Sequence, residues 1–144
     1  MNKSLKAVLL PCVLIVALWG CEQPKAEQTA PTEEPEAIAR TEFTDRVENF
    51  FEYEPLHAAK PSQVRIHLTD LSDGSPVEKA EVTLIVRPTG ATESVLQTTA
   101  KVGKVTGIYV AELTIPQAGH YDIEFRVTNS KLDERFPLTG FEVE

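Results

Sequence analysis

From residue 41 onward the apolar positions of this chain fall on every second residue. Val64, Ile66 and Leu68 alternate with Arg65, His67 and Thr69, and Val82, Leu84 and Val86 alternate with Glu81, Thr83, Ile85 and Arg87. Tyr121, Ile123, Phe125 and Val127 alternate with Asp122, Glu124 and Arg126. A period of two places one face of a strand in a core and the other in water. Tyr109, Ala111, Leu113 and Ile115 predict a further strand, whose second face is partly apolar through Ile108 and Val110. Leu96, Ala100 and Val102 predict a weaker one, and Val47, Phe51 and Tyr53 an entry strand.

The final strand breaks the alternation. Phe136 and Leu138 share one parity, and Phe141 and Val143 share the other. A bulge at Gly140 would return both pairs to one face; without it, Phe141 and Val143 face solvent. Turn-forming residues separate the runs at Ser72-Asp73-Gly74-Ser75-Pro76, Pro88-Thr89-Gly90, Gly103 to Gly107, Pro116-Gln117-Ala118-Gly119 and Asn129-Ser130. No long stretch has helical periodicity with caps. Seven or so short antiparallel strands in about a hundred residues predict an all-β, Ig-like sandwich over residues 41–144. Gly119 followed by Tyr121 at the start of the cleanest strand is the pattern of a corner closed by a tyrosine hydroxyl; the plain alternative is a core aromatic.

The first forty residues read differently. Residues 1–20 have a short basic start, Lys3 and Lys6, then an apolar run from Ala7 to Trp19. About thirteen apolar residues are too few for a helix to cross a bilayer, which takes about twenty. The pattern is that of a secretory signal. Leu18-Trp19-Gly20-Cys21 resembles a bacterial lipobox, with Trp19 where a small residue is usual. The resemblance implies that Cys21 becomes the acylated first residue of the mature protein. An uncleaved anchor and ordinary secretion are the alternatives, and all three place the rest outside the cytoplasm. Glu22 stands where an aspartate would resemble an inner-membrane retention signal, which favours the outer membrane. Residues 21–40, with Pro24, Pro31, Pro35 and five glutamates, hold one large apolar residue, Ile38. Such a segment cannot bury enough surface to offset its ordering entropy and is expected to be a disordered tether.

Composition narrows the chemistry. Cys12 leaves with the signal and Cys21 would carry lipid, so the folded domain has no thiol for a disulfide or a cysteine metal site. The formal net charge is −8, and loss of Lys3 and Lys6 makes the mature chain more acidic still. A surface of that sign repels phosphate backbones, so nucleic acid is excluded as the expected partner. A cation or a basic protein surface would be attracted, though solubility alone accounts for the charge. There is no strand-turn-helix serine elbow and no glycine-rich phosphate loop, and the reading is non-enzymatic.

Three segments carry a family resemblance. They are Phe51-Glu52-Tyr53-Glu54-Pro55-Leu56; then Val64 to Leu71 with Pro76-Val77 and Ala80 to Val82; then Gly107-Ile108-Tyr109 with Pro116 and Gly119-His120-Tyr121. Residues 43–143 resemble the β-sandwich domain at the N-terminus of periplasmic adaptor subunits of heavy-metal efflux pumps of the resistance-nodulation-division type, and are similar also to small secreted YtkA-like domains. An adaptor subunit continues where this chain stops, so the resemblance implies a free-standing accessory module or a piece of a longer product. It also implies a metal as candidate ligand, with His57, His67 and His120 as donors beside Asp70, Asp73, Glu52 and Glu54. Imidazole with carboxylate suits zinc, copper(II) or nickel. No two of these histidines have ligand-like spacing, and ordinary surface histidines are the alternative. The loops over residues 69–79 and 129–135 are the candidate contact surfaces. The expectation is a lipid-anchored interaction module of the envelope beside an efflux system or another envelope protein. The alternatives are a periplasmic copper or zinc carrier and a purely structural lipoprotein.

Overall fold

The computed structural model describes residues 36–144, which lie in one compact unit, Glu33–Glu144. The leader, Cys21 and the expected tether up to residue 35 fall outside the described residues. The described chain forms nine strands: β1 Ile38–Phe43, β2 Val47–Tyr53, β3 Pro61–Asp70, β4 Glu81–Pro88, β5 Leu96–Thr99, β6 Lys101–Val102, β7 Ile108–Thr114, β8 Gly119–Thr128 and β9 Asp133–Val143. They build a five-stranded sheet in the order β1-β2-β3-β7-β6 and a four-stranded sheet in the order β5-β4-β8-β9, with every strand pairing antiparallel.

The order follows from alternation. Each strand has one apolar face, and two such sheets remove both faces from water only by stacking. After β3 the chain crosses to the other sheet for β4, then returns so that β7 lies beside β3, pairing Val64 with Ala111 and Ile66 with Tyr109. This is the two-sheet strand order of a seven-stranded Ig-like sandwich with two added edge strands, β1 and β5. Val47, Phe51, Val64, Ile66, Leu68, Tyr109 and Leu113 face Val82, Leu84, Val86, Ile123, Phe125 and Val127, all buried. Burial of each large side chain contributes about 1.5–3 kcal/mol. Phe51 and Phe125 meet across the gap with ring centroids 4.7 Å apart.

Nine strands replace the expected seven because the middle and the start of the pattern were under-read. The weak strand over Leu96 to Val102 is two short strands. Leu96 pairs with Val86 in one sheet, and Lys101 pairs with Val110 in the other. The handover falls at Ala100, whose N–H donates to Val82 O at 2.8 Å. The expected tether also ends early: β1 begins at Ile38, so residues 38–40 belong to the fold. Propensity gave no reason for this. Pairing with β2, from Ile38 opposite Tyr53 to Phe43 opposite Glu48, supplies it.

The bulge is present. Tyr121 pairs with Phe141 and Ile123 with Leu138, so Thr139 and Gly140 together oppose Asp122. Gly140 has φ +81°, a conformation that glycine adopts without a Cβ penalty. Phe136, Leu138, Phe141 and Val143 are consequently all buried. Tyr121 is both things the sequence allowed: its ring is buried, and its hydroxyl donates to Gln117 O at 2.8 Å. Gly119, with φ +146°, lets the chain turn into β8 just before it.

Arg40 closes the side between β1 and β9. Its guanidinium donates to Thr139 O at 3.0 Å and to Glu42 Oε1 at 2.8 Å. It lies over the rings of Phe141 and Phe51, 4.9 and 5.8 Å from their centroids. Burial pushes the Tyr53 hydroxyl above its ordinary pKa, against the opposing pull of Arg40. Arg40→Ala is expected to lower stability by about 1–2 kcal/mol, since a carbonyl partner and a cation–π contact go together. Arg40→Lys should recover less than half of that, because an ammonium lacks the planar fork. Thermal unfolding followed by circular dichroism measures both, and an Arg40→Ala melting curve superimposable on the parent would show that the clasp is idle.

Candidate functional site

The antiparallel registers sort the connections into two poles. Ile38, the connection after β2, the turn over residues 115–119 and the end of β9 gather at one pole, where Ala58 N donates to Glu144 O and Ala59 N to Ile115 O. The β1–β2 turn, residues 71–80, residues 103–107 and residues 129–132 gather at the other, where Leu71 N donates to Arg46 O and Leu68 N to Gly107 O. The chain therefore enters the sandwich at the pole away from the longest loop.

At that second pole lies a groove of about 370 Å³ between the β3–β4 and β8–β9 connections, lined by Asp70, Ser75, Glu78, Lys79, Asn129 and Lys131 among others. The two loops read as candidate contact surfaces are thus its two walls. Each wall is held internally. Asp70 accepts from Ser72 N at 2.9 Å and from its hydroxyl at 2.6 Å, and Asp73 accepts from Ser75 N at 2.9 Å. Asn129 Oδ1 accepts from the N–H groups of Lys131 and Leu132 at 2.8 and 2.9 Å. Two bonds then tie wall to wall and wall to the β1–β2 turn: Asn129 Nδ2 donates to Glu78 O at 3.2 Å, and Arg46 donates to Lys131 O at 2.8 Å.

The floor is fixed by a buried tyrosine. The Tyr109 hydroxyl donates to Val77 O at 2.8 Å and accepts from Ala80 N at 3.2 Å. That pins the segment in which Lys79 has φ +51°, an unusual backbone for a residue with a side chain. Glu78 and Lys79 also border a recess of about 210 Å³ with Val102, Lys104 and Gly107. Phe43, Leu71, Val102 and Val105 are exposed large apolar residues, and the topology brings all four to this pole. This pole thus combines the carboxylates and ammonium groups of the groove with exposed apolar residues. Such a surface has the chemistry to meet a polar, mixed-charge partner.

The histidines are dispersed. His67 is on the outer face of the five-stranded sheet, its Nε2 3.8 Å from Glu52 and its ring edge-on to Phe50 at 5.3 Å. His120 is on β8, opposite Glu142 on the outer face of the other sheet. His57 is in the connection after β2, 3.8 Å from Glu144. The alternation that builds the core sends His67 and His120 to opposite sides of the sandwich. Among the described residues no three His, Cys, Asp or Glu side chains gather as a ligand set, so His57, His67 and His120 form no common site. Asp70 and Asp73 cap turns, while Glu52 and Glu54 border a shallow recess on the outer face of the five-stranded sheet.

Two residues were missed. Tyr109 was read as a core residue only, because nothing local shows where a hydroxyl will point. Asn49 shares the inward parity of Val47 and Phe51, is fully buried, and its amide finds no protein partner. Its parity was the available signal.

The fold and the groove define a class: an Ig-like antiparallel sandwich with a braced loop groove at one pole. Comparisons of the chain with protein-family models, with curated proteins and with solved structures each return no match.

Two outcomes test this site. Gly107, with φ +79°, lies so close to the opposite loop that an added Cβ would meet Pro76 Cβ at 2.5 Å, whereas Gly74, with φ +73°, has open space. Gly107→Ala should therefore lower the melting temperature clearly more than Gly74→Ala, since both carry the φ penalty and only one carries the clash. Hydrogen bonds from the hydroxyls of Ser72 and Ser75 hold Asp70 and Asp73 below the ordinary aspartate value of 3.8. The folded pKa is the lower one, so the turn's contribution is present above pH 3.8 and is lost as pH falls through the folded values. The amide resonances of Ser72 and Ser75 should titrate with midpoints below 3.8; midpoints at or above it would contradict the caps.

Proposed function

We propose that this protein is a lipid-anchored, non-enzymatic β-sandwich of the bacterial envelope, facing the periplasm, which presents its groove pole to another envelope protein. The observation that carries the reading is the opposition of the poles. The chain enters at Ile38, and the braced groove with its exposed Phe43, Leu71, Val102 and Val105 is at the far end. A tether of about 25 Å joined to an acylated Cys21 and running into the near pole leaves the far one clear of the bilayer surface. Glu22 favours the outer membrane. The walls are fixed in advance by Tyr109 and Asn129, so a partner need order little on docking. The resemblance of residues 43–143 to efflux-adaptor sandwiches favours a component of a cation-efflux system as that partner.

Metabolic labelling with an alkyne fatty acid tests the anchor: the parent should take the label and Cys21→Ser should not. Affinity capture from envelope extract tests the pole. A pump or adaptor component should be recovered by the parent and by His120→Ala, and its yield should fall at least tenfold with Lys79→Glu and Lys131→Glu together. Recovery of no pump component removes the efflux assignment, and equal recovery by the groove variant removes the groove.

A further inference from the structure

The two sheets have four edges, and three of them are protected against adding a strand. β5 and β6 are four and two residues long. β9 is long but contains Pro137, which has no N–H, and the bulge at Thr139 and Gly140; its Thr139 carbonyl is already taken by Arg40. Proline, bulges and shortness are the devices that keep edge strands single. β1 has none of these three, and its two charged residues, Arg40 and Glu42, are paired with each other. It runs six residues, Ile38-Ala39-Arg40-Thr41-Glu42-Phe43, without proline, glycine, lysine or bulge, and among the described residues it pairs on one side only.

We propose that β1 is a self-pairing edge, through which two copies of this protein join antiparallel into one continuous ten-stranded sheet. The residue order of the strand selects the occupant. With the two-fold axis at Thr41, Thr41 faces Thr41, Arg40 faces Glu42 of the second copy, and Ala39 faces Phe43. Each charge meets its opposite, on the face where Arg40 and Glu42 already pair at 2.8 Å. Each exposed Phe43 (62 % accessible) gains an apolar neighbour. Directly opposite pairs of these kinds stabilise antiparallel strands.

The neighbouring registers that keep like faces together fail. An axis at Arg40 sets Arg40 against Arg40, and an axis at Glu42 sets Glu42 against Glu42. A shift by a single residue places the outer face of one sheet level with the core face of the other. The Thr41 axis is therefore the charge-matched solution, and it is isologous, as a closed two-fold pair requires. The two β9 edges then face each other without pairing, because Pro137 and the bulge deny them a ladder. Two six-residue strands make a small interface of the exchanging kind, so covalent trapping is the suitable measurement. The β1 edge shares only Phe43 with the groove pole, and its pairing does not depend on what the groove binds.

The test uses the full chain in bacterial cells, with the photoreactive p-benzoylphenylalanine in place of Phe43. Irradiation should give a species of twice the chain mass, with the link mapped by mass spectrometry to Ala39 or its neighbours in β1 of a second copy. The same probe at Lys101, exposed on β6 at the opposite edge of the sheet, should give none. Thr41 is exposed, so its variants keep the fold, which a melting curve checks. Thr41→Val should retain the doubled species, and Thr41→Glu, which sets two carboxylates face to face on the axis, should reduce it at least tenfold. No doubled species, whatever other protein is captured, or a Thr41→Glu yield equal to that of Thr41→Val would each overturn self-pairing.

Discussion

The contact of Phe51 with Phe125, flanked by Tyr53 and Phe141, is the interaction on which this sandwich depends. It is where the two sheets exclude water from each other, and no covalent cross-link substitutes for it. The chain's two cysteines, Cys12 and Cys21, both precede the described fold. A domain of about a hundred residues stabilised only by burial has a small margin. Every departure from regular strand geometry here can be understood as protecting that apolar layer.

Two sides of the layer would otherwise be open. On one, the chain itself crosses from sheet to sheet at Ala100, so β5 and β6 seal the gap with backbone. On the other, Arg40 reaches from β1 to the carbonyl of Thr139 and covers two core rings with its guanidinium. The bulge at Gly140 serves the same layer, because it returns Phe141 and Val143 to the core after the strand has stepped out of phase. That step also exposes the carbonyl that Arg40 uses. Core closure and edge protection are thus one feature seen from two sides.

The groove pole follows a different logic. Its walls are polar loops, and they hold their shape through side-chain caps from Asp70, Asp73 and Asn129 together with one core hydroxyl, that of Tyr109. A loop bound to the core in this way gains the precision of a strand while leaving its charged side chains free. The histidines show the converse. His67 and His120 occupy regular strand positions whose direction is set by the pleat, and the pleat separates them.

Alternation and turn residues were sufficient to read the sandwich, most strand positions, the bulge and the tyrosine corner, because each is fixed by the parity of neighbouring residues or by a local glycine. The two loops that form the groove were also legible as loops. Tertiary structure alone decided that they face each other, that Leu96 to Val102 divides between sheets, and that Ile38, Ala39 and Arg40 belong to the fold. Those outcomes rest on pairing between residues far apart in the chain: Arg40 with Thr139, Tyr109 with Val77, Asn129 with Glu78. Local sequence determines which face of a strand is apolar, but the partner that a buried hydroxyl, an amide or a guanidinium will meet exists only once the sheets have stacked.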